Sequence, residues 1–131
     1  MSKTPPAPSV LKEERTALVE ALTDTGIQTF DHLPGRFTPP AALVLHGSPY
    51  ISTETFSDYT VTFSVELIAG QSGDNEVTTD DLDNLILTAC VALTRAGYAV
   101  SEVGQPGMLT IQGGTFLAVP ITTTTTITLT S

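Results

Sequence analysis

Residues 59–67 place the strongest structural constraint on this chain, because apolar and polar side chains alternate there without a break. A period of two residues is typical of a β-strand with one face in a core and the other toward solvent. The apolar positions are Tyr59, Val61, Phe63, Val65 and Leu67, and the polar positions are Thr60, Thr62, Ser64 and Glu66. The segment therefore predicts a half-buried antiparallel strand.

Two helices are predicted on either side of this strand in the chain. The first begins at Ser9, a helix-capping residue, and stops at Gly26. The second follows a polar loop, with Thr78 and Asp81 at the spacing of a capping box, and closes at Gly97. Its apolar stripe consists of Leu82, Leu85, Ile86, Ala89 and Leu93.

The remaining apolar segments predict further strands. Proline and glycine bound a short strand after Ile27 and another over residues 41–46, which Gly47 ends. Three more strands follow the second helix, over residues 98–103, 108–111 and 116–129.

This order of helix, strands, helix and strands predicts an α+β fold. Two helices would pack on one face of a mainly antiparallel sheet. Residues 1–8 are rich in proline, so we expect a flexible N-terminal arm there and a single domain over residues 9–131.

The last predicted strand is long for a domain of this size. Fully extended, residues 116–129 would span about 46 Å, against about 36 Å for the domain. Either Pro120 breaks the strand or part of it projects beyond the core. Thr123 and Thr125 interrupt its apolar face, which is consistent with a solvent-tolerant strand or with a strand that pairs with another subunit.

Charge excludes the simplest binding partners. Fourteen acidic residues against five basic residues give a net charge of −9, and the basic residues form no cluster. Attraction to nucleic-acid phosphates or anionic lipid is therefore unfavourable. The longest nearly apolar stretch, residues 85–93, is too short to cross a bilayer, and the opening residues lack a signal-peptide core, so we expect a cytoplasmic protein.

The sequence offers no constellation of catalytic residues. It lacks a phosphate-binding glycine loop, and no nucleophile elbow surrounds a serine. His32 and His46 are too isolated for a zinc site, and Cys90 lies within an apolar helix. We predict no enzyme activity, no cofactor and no firm metal site.

An acidic cluster before the second helix has two interpretations. Carboxylates at a helix N-terminus commonly interact with its exposed amides and dipole. Alternatively, the cluster is a weak divalent-cation site or a subunit contact that draws in Arg36 or Arg95 from a neighbour. The residues concerned are Asp74, Glu76, Asp80, Asp81 and Asp83, of which Asp74, Asp80 and Asp81 are the weak metal candidates.

The segment LPGRFTPPAALVLHGSPYI, residues 33–51, combines a Pro-x-Arg turn, a double proline before a short apolar strand, and a Pro-Tyr pair after it. It resembles the tail terminator proteins of long-tailed bacteriophages. The order of the long alternating strand, the polar loop, a helix with Leu82, Asp83, Leu85 and Ile86, and terminal strands also agrees. The resemblance covers about residues 9–130.

The resemblance implies a virion protein that caps the growing tail tube, usually as a hexameric ring, and joins the tail to the head connector. Its partners would be further copies of itself, the tail tube protein and the connector or head completion protein. Assembly would occur in the host cytoplasm. The genome would pass through the lumen without sequence-specific binding, and an acidic wall would repel its phosphates.

The residue patterns and the resemblance together give the candidates for contacts between subunits. They are Arg36, Tyr50, Asp74, Glu76, Arg95, Thr123 and Thr125. Arg36 could instead tie down its own turn, and Tyr50 could pack beneath its loop. Another neck or tail-tube subunit is the alternative function, followed by a small ligand-binding domain or enzyme.

Overall fold

The computed structural model describes residues 7–32, 35, 38–71, 79–111 and 114–128. It confirms the α+β class and the order of elements. The helices are α1 (Ala7–Thr23) and α2 (Thr79–Arg95), and the strands are β1 (Gln28–Phe30), β2 (Ala41–Thr53), β3 (Asp58–Gln71), β4 (Ala99–Val103), β5 (Gly107–Ile111) and β6 (Gly114–Thr128).

The strands form one sheet in the order β1-β2-β3-β6-β4, and β5 also pairs with β6. All neighbours are antiparallel except β1 and β2, which run parallel. The sheet is therefore mixed. β1 pairs with the outer edge of β2 only as far as Leu43. Beyond that residue, no described strand pairs with this edge of β2.

A glycine follows each helix, in the turn that leads into the next strand. Gly26 and Gly97 have φ angles of +95° and +96°, a region that side chains with a Cβ rarely adopt. After α2, Gly97 N–H donates to the Thr94 carbonyl and Tyr98 N–H donates to the Leu93 carbonyl, as in a Schellman motif. These turns lead α1 into β1 and α2 into β4, which lie at opposite edges of the sheet.

Two predicted boundaries differ from the structure. α1 begins at Ala7, so the proposed arm loses its last two residues, and residues 1–6 lie outside the described chain. Gly47 does not end β2, which continues to Thr53 after a shift in register. A Cβ on Gly47 would lie 2.5 to 2.8 Å from Thr62 atoms, so a glycine lets the irregular strand stay against β3.

The long last strand also has a different explanation. β6 runs through Pro120 without a break and pairs with β3, which is about equally long. Gly104 N–H donates to the Pro120 carbonyl at 2.8 Å on the other side. β4 pairs no further than Thr124, so the ends of β2, β3 and β6 extend past it together.

The main core lies between the sheet and the two helices. Phe63, Leu18, Leu22 and Leu93 are among its largest fully buried side chains. The predicted stripe of α2 lies in or against this core, which confirms that prediction. A smaller cluster on the opposite sheet face joins Leu43, Ile68 and Ala118 to Phe30, Leu109, Ile111 and Phe116.

Neither helix has the length and apolar character needed to span a bilayer within the described ranges.

Candidate interaction surfaces

One face of the sheet is only partly covered. Side chains alternate across a strand, so neighbours of the core residues Val44, Val65 and Ile121 point away from the helices. The open sheet face, as we call it, comprises Leu45, Ser64, Glu66, Pro120, Thr122 and Thr124. Register places Leu45 opposite Ser64 and Glu66 opposite Pro120. All six side chains are exposed or half-buried.

Glu66 is the charged residue at the centre of this face. Its Oε2 is buried, and no described residue donates a hydrogen bond to it. Burial raises the pKa of this carboxyl group, because the charged form loses hydration. The residues across from it in the register are Leu43 and Pro120, and neither side chain offers a donor. The described part of the chain therefore leaves this desolvated oxygen without a compensating donor.

The hairpin tip between β2 and β3 is a second surface, formed by residues 54–58. Asp58 fixes it: its Oδ2 accepts a hydrogen bond from Thr55 Oγ1 at 3.0 Å, and its Oδ1 accepts one from Thr128 Oγ1 at 2.7 Å. Glu54 N–H also donates to the Asp58 carbonyl at 3.0 Å. Phe56 is fully exposed on this tip. A polar network thus orders a turn that presents one large apolar side chain.

The outer side of α2 forms a third surface. Leu87, Val91 and Arg95 recur every four residues, so they lie on one helix face, which we call the α2 stripe. Leu87 and Val91 are 62% and 48% exposed. With Thr25, Thr88 and Ala92 they line a shallow groove of about 370 Å³. The stripe joins exposed apolar surface to a cation.

Tyr50 lies at the irregular part of β2. Its ring packs on His46 at 4.4 Å and on Phe63 at 5.8 Å between centroids, and its side chain is half-buried. Its hydroxyl oxygen is buried without a hydrogen-bond partner among the described residues. This position fits the interpretation that Tyr50 packs beneath its loop, and the buried hydroxyl group leaves an unmet hydrogen-bonding capacity.

A second groove, of about 310 Å³, is lined by Arg15, Asp31, Val44, Leu45 and His46. Asp31 Oδ1 lies 2.9 Å from His32 Nδ1, and its Oδ2 lies 3.9 Å from Arg15 Nε. The hydrogen bond from His32 is the main cause that lowers the pKa of Asp31, and Arg15 adds to it. Arg15 therefore already lies near a carboxylate of its own chain.

The structure separates the interface candidates that the sequence groups together. Arg95 is exposed at the end of α2 and Thr125 is half-buried. Thr123 is wrong as a surface contact, because it is fully buried, with Oγ1 3.5 Å from the Phe63 carbonyl oxygen. The register of β6 against β3 places it opposite Phe63 in the core. Arg36, Asp74 and Glu76 lie outside the described residues.

The cation candidates are only partly described. Asp80 and Asp81 are exposed in the first turn of α2, where carboxylates interact favourably with the helix dipole. Their proposed companion Asp74 lies in the undescribed segment. Across the described ranges, no three His, Cys, Asp or Glu side chains converge as metal ligands. Burial raises the pKa of the Cys90 thiol, which disfavours the reactive thiolate.

Sequence reasoning missed three features. Glu66 is the one charged residue among the polar positions of residues 59–67, and this charge was the signal that could have singled it out. Leu87 and Val91 fall outside the predicted apolar stripe of α2, which could have marked them as exposed. Phe56 lies alone between polar residues, and its exposure has no clear periodic signal.

No family model matches this chain, and no curated protein matches it significantly. The functional argument therefore depends on the surfaces above and on the resemblance of residues 33–51.

Proposed function

We propose that this chain is a structural subunit of a phage tail, which ends tail-tube polymerisation and forms the head-proximal ring of the tail. Copies of the chain would form the ring, with six as the number that the resemblance implies. The tail tube protein would bind one side, and the connector or head completion protein the other. The protein would assemble in the host cytoplasm and remain in the virion.

The ordered hairpin tip with its exposed Phe56 is the observation that best supports an assembly role. A single exposed apolar residue on a mobile loop would have little significance. Here Asp58 joins the turn to both Thr55 and Thr128, so two side-chain hydrogen bonds restrain the tip before binding. Such preorganisation lowers the entropy lost on association, and an aromatic anchor then supplies apolar contact.

The charge of the chain is compatible with this function. A net charge of −9 disfavours adhesion to DNA, which is useful in a ring whose lumen passes a genome. Mechanical capping requires neither a catalytic group nor a cofactor. The proposal therefore needs surfaces that bind other proteins, and the open sheet face, the hairpin tip and the α2 stripe are the candidates.

Assembly with purified tail tube protein of the same phage tests the proposal. We expect the wild-type chain to form rings in negative-stain images and to shorten tubes that polymerise in its presence. Phe56→Ser should keep the fold but bind tube ends at least about tenfold more weakly, because it removes an interface anchor. Met108→Ser is the matched control, since Met108 is also exposed and lies on β5, away from the tip.

A chain that forms no ring and binds no tube end would contradict the proposal. The alternative, another neck or tail-tube subunit, has the same surfaces and predicts a different result. A tube subunit would enter the tubes along their length, and a neck subunit would bind finished tails without changing tube length. Electron microscopy of tube length, and of where the labelled chain lies on each tube, therefore distinguishes the three roles.

A further inference from the structure

None of the described basic residues pairs with Glu66. Oε2 is buried at the centre of the open sheet face, and the residues paired with Glu66 on the adjacent strands are Leu43 and Pro120. A carboxylate that has lost hydration without gaining a donor is destabilising, and a donor from outside would relieve it. An arginine is well suited, since its guanidinium group binds both oxygens of a carboxylate.

Arg95 is the described basic residue best placed to be such a donor. Arg15 already lies beside Asp31, and Lys12 is exposed on α1 next to Glu13. Arg95 makes no ion pair with any described residue, and it ends the α2 stripe after Leu87 and Val91. This cation is thus bordered by apolar surface that would lose water on contact.

These two surfaces point away from each other. The core lies between α2 and the sheet, so the α2 stripe lies on the outer side of the helix layer and the open sheet face on the far side of the sheet. Two copies that met through the same sheet face would bring one Glu66 toward the other, which is repulsive in a chain already at −9. A head-to-tail contact avoids this repulsion and allows Arg95 of one copy to approach Glu66 of the next.

We propose that the α2 stripe of each copy packs on the open sheet face of the next copy, with Arg95 paired to Glu66. Leu87 and Val91 would cover the apolar area around Leu45 and Pro120, which excludes water from the ion pair. Such a contact is heterologous, so an open row of subunits has an unpaired α2 stripe at one end and an unpaired open sheet face at the other. The row closes into a ring when the rotation between neighbouring copies permits it. The inference rests on the proposed function, because it assigns the contact between copies of the ring.

Charge reversal and rescue test this pairing. Sedimentation velocity over a concentration series would compare the wild type with Glu66→Arg, Arg95→Glu and the double variant. We expect each single reversal to raise the dissociation constant between copies by about 30-fold or more, equivalent to about 2 kcal/mol. The double variant should recover most of the wild-type affinity, because the opposite charges then meet again.

Lys12→Glu and Glu13→Arg are matched controls, since each changes the net charge by the same amount at an exposed position of α1. Circular dichroism of every variant would show that the fold is retained. Single reversals that leave association unchanged, or a double variant that stays dissociated while folded, would overturn the pairing while the ring itself stands. A wild type that remains monomeric at high concentration and on tube ends would overturn both the pairing and the proposed ring.

Discussion

Tyr98, in the turn that follows α2, donates a hydrogen bond to Glu14 of α1, and the substitution Tyr98→Phe tests how much its hydroxyl group contributes to stability. The side chain is 4% exposed, and its hydroxyl oxygen lies 2.8 Å from both the main-chain oxygen and Oε1 of Glu14. One O–H hydrogen serves both acceptors, so the substitution removes the equivalent of one hydrogen bond. The phenylalanine ring keeps the packing.

The expected loss in the free energy of unfolding is about 1.5 kcal/mol. A neutral hydrogen bond contributes about 1 kcal/mol and one to a charged acceptor about twice that. Glu14 is half-buried, so water weakens the charged contact and can replace the lost donor. With a urea dependence of about 2 kcal/mol per molar, the unfolding midpoint should fall by about 0.75 M.

Alkaline pH gives a second and sharper measurement. Burial, with the hydrogen bond to Glu14 and its charge, raises the pKa of Tyr98 in the folded protein, whereas an unfolded tyrosine titrates near pH 10. Above about pH 10 the unfolded chain releases a proton that the folded chain keeps, so the stability of the wild type falls with pH. This fall is at most about 1.4 kcal/mol per pH unit. The Tyr98→Phe protein lacks this fall, so the difference in the free energy of unfolding between the wild type and Tyr98→Phe should shrink from pH 8 to pH 11.

Urea unfolding monitored by circular dichroism, at concentrations where both proteins are monomers, measures both effects. Tyr59→Phe is the control, because the hydroxyl group of Tyr59 bonds to no other described residue and its ring is half-buried. It should change stability by less than about 0.5 kcal/mol. A Tyr98→Phe protein as stable as the wild type at pH 8, or a difference that stays constant up to pH 11, would refute the reasoning.

Three further substitutions probe the packing and the open sheet face. Gly47→Ala should destabilise the protein by about 2 kcal/mol, because the new methyl group would meet the main chain of Thr62. Thermal unfolding measures this loss, and an unchanged melting temperature would contradict the prediction. Leu93→Ala should lower the free energy of unfolding by about 3 kcal/mol in urea, since Leu93 is fully buried, whereas Leu87→Ala on the exposed stripe should have little effect. Glu66→Gln should stabilise the monomer by about 0.5 to 1 kcal/mol at pH 7, because it removes a desolvated charge from a half-exposed side chain. Burial raises the pKa of Glu66, so the wild-type carboxyl group is protonated more readily in the folded state, and the stability gained by Glu66→Gln should disappear below about pH 4. Equal stability of the wild type and Glu66→Gln at pH 7 would argue against this reasoning.

The amino-acid pattern was sufficient to predict the fold class and the main elements. The alternation over residues 59–67 identified β3 and which of its side chains enter the core, because a strand repeats every two residues whatever its partners are. Gly26 and Gly97 marked the ends of both helices, since their positive φ angles disfavour other residues. These features depend on local backbone geometry, which a sequence carries directly.

Only the tertiary structure decided how similar residues divide between core and surface. Thr123 and Thr125 belong to one run of threonines, yet strand register buries Thr123 completely opposite Phe63. Gly47 resembled a strand terminator, but β2 continues through it, and only the fold shows that a Cβ at this position would collide with Thr62. Glu66 had the pattern of an ordinary solvent-facing residue, and the absence of a donor to its Oε2 among the described residues depends on which strands lie beside it. Burial and charge pairing arise from contacts between distant segments, so they become visible only when the chain is folded.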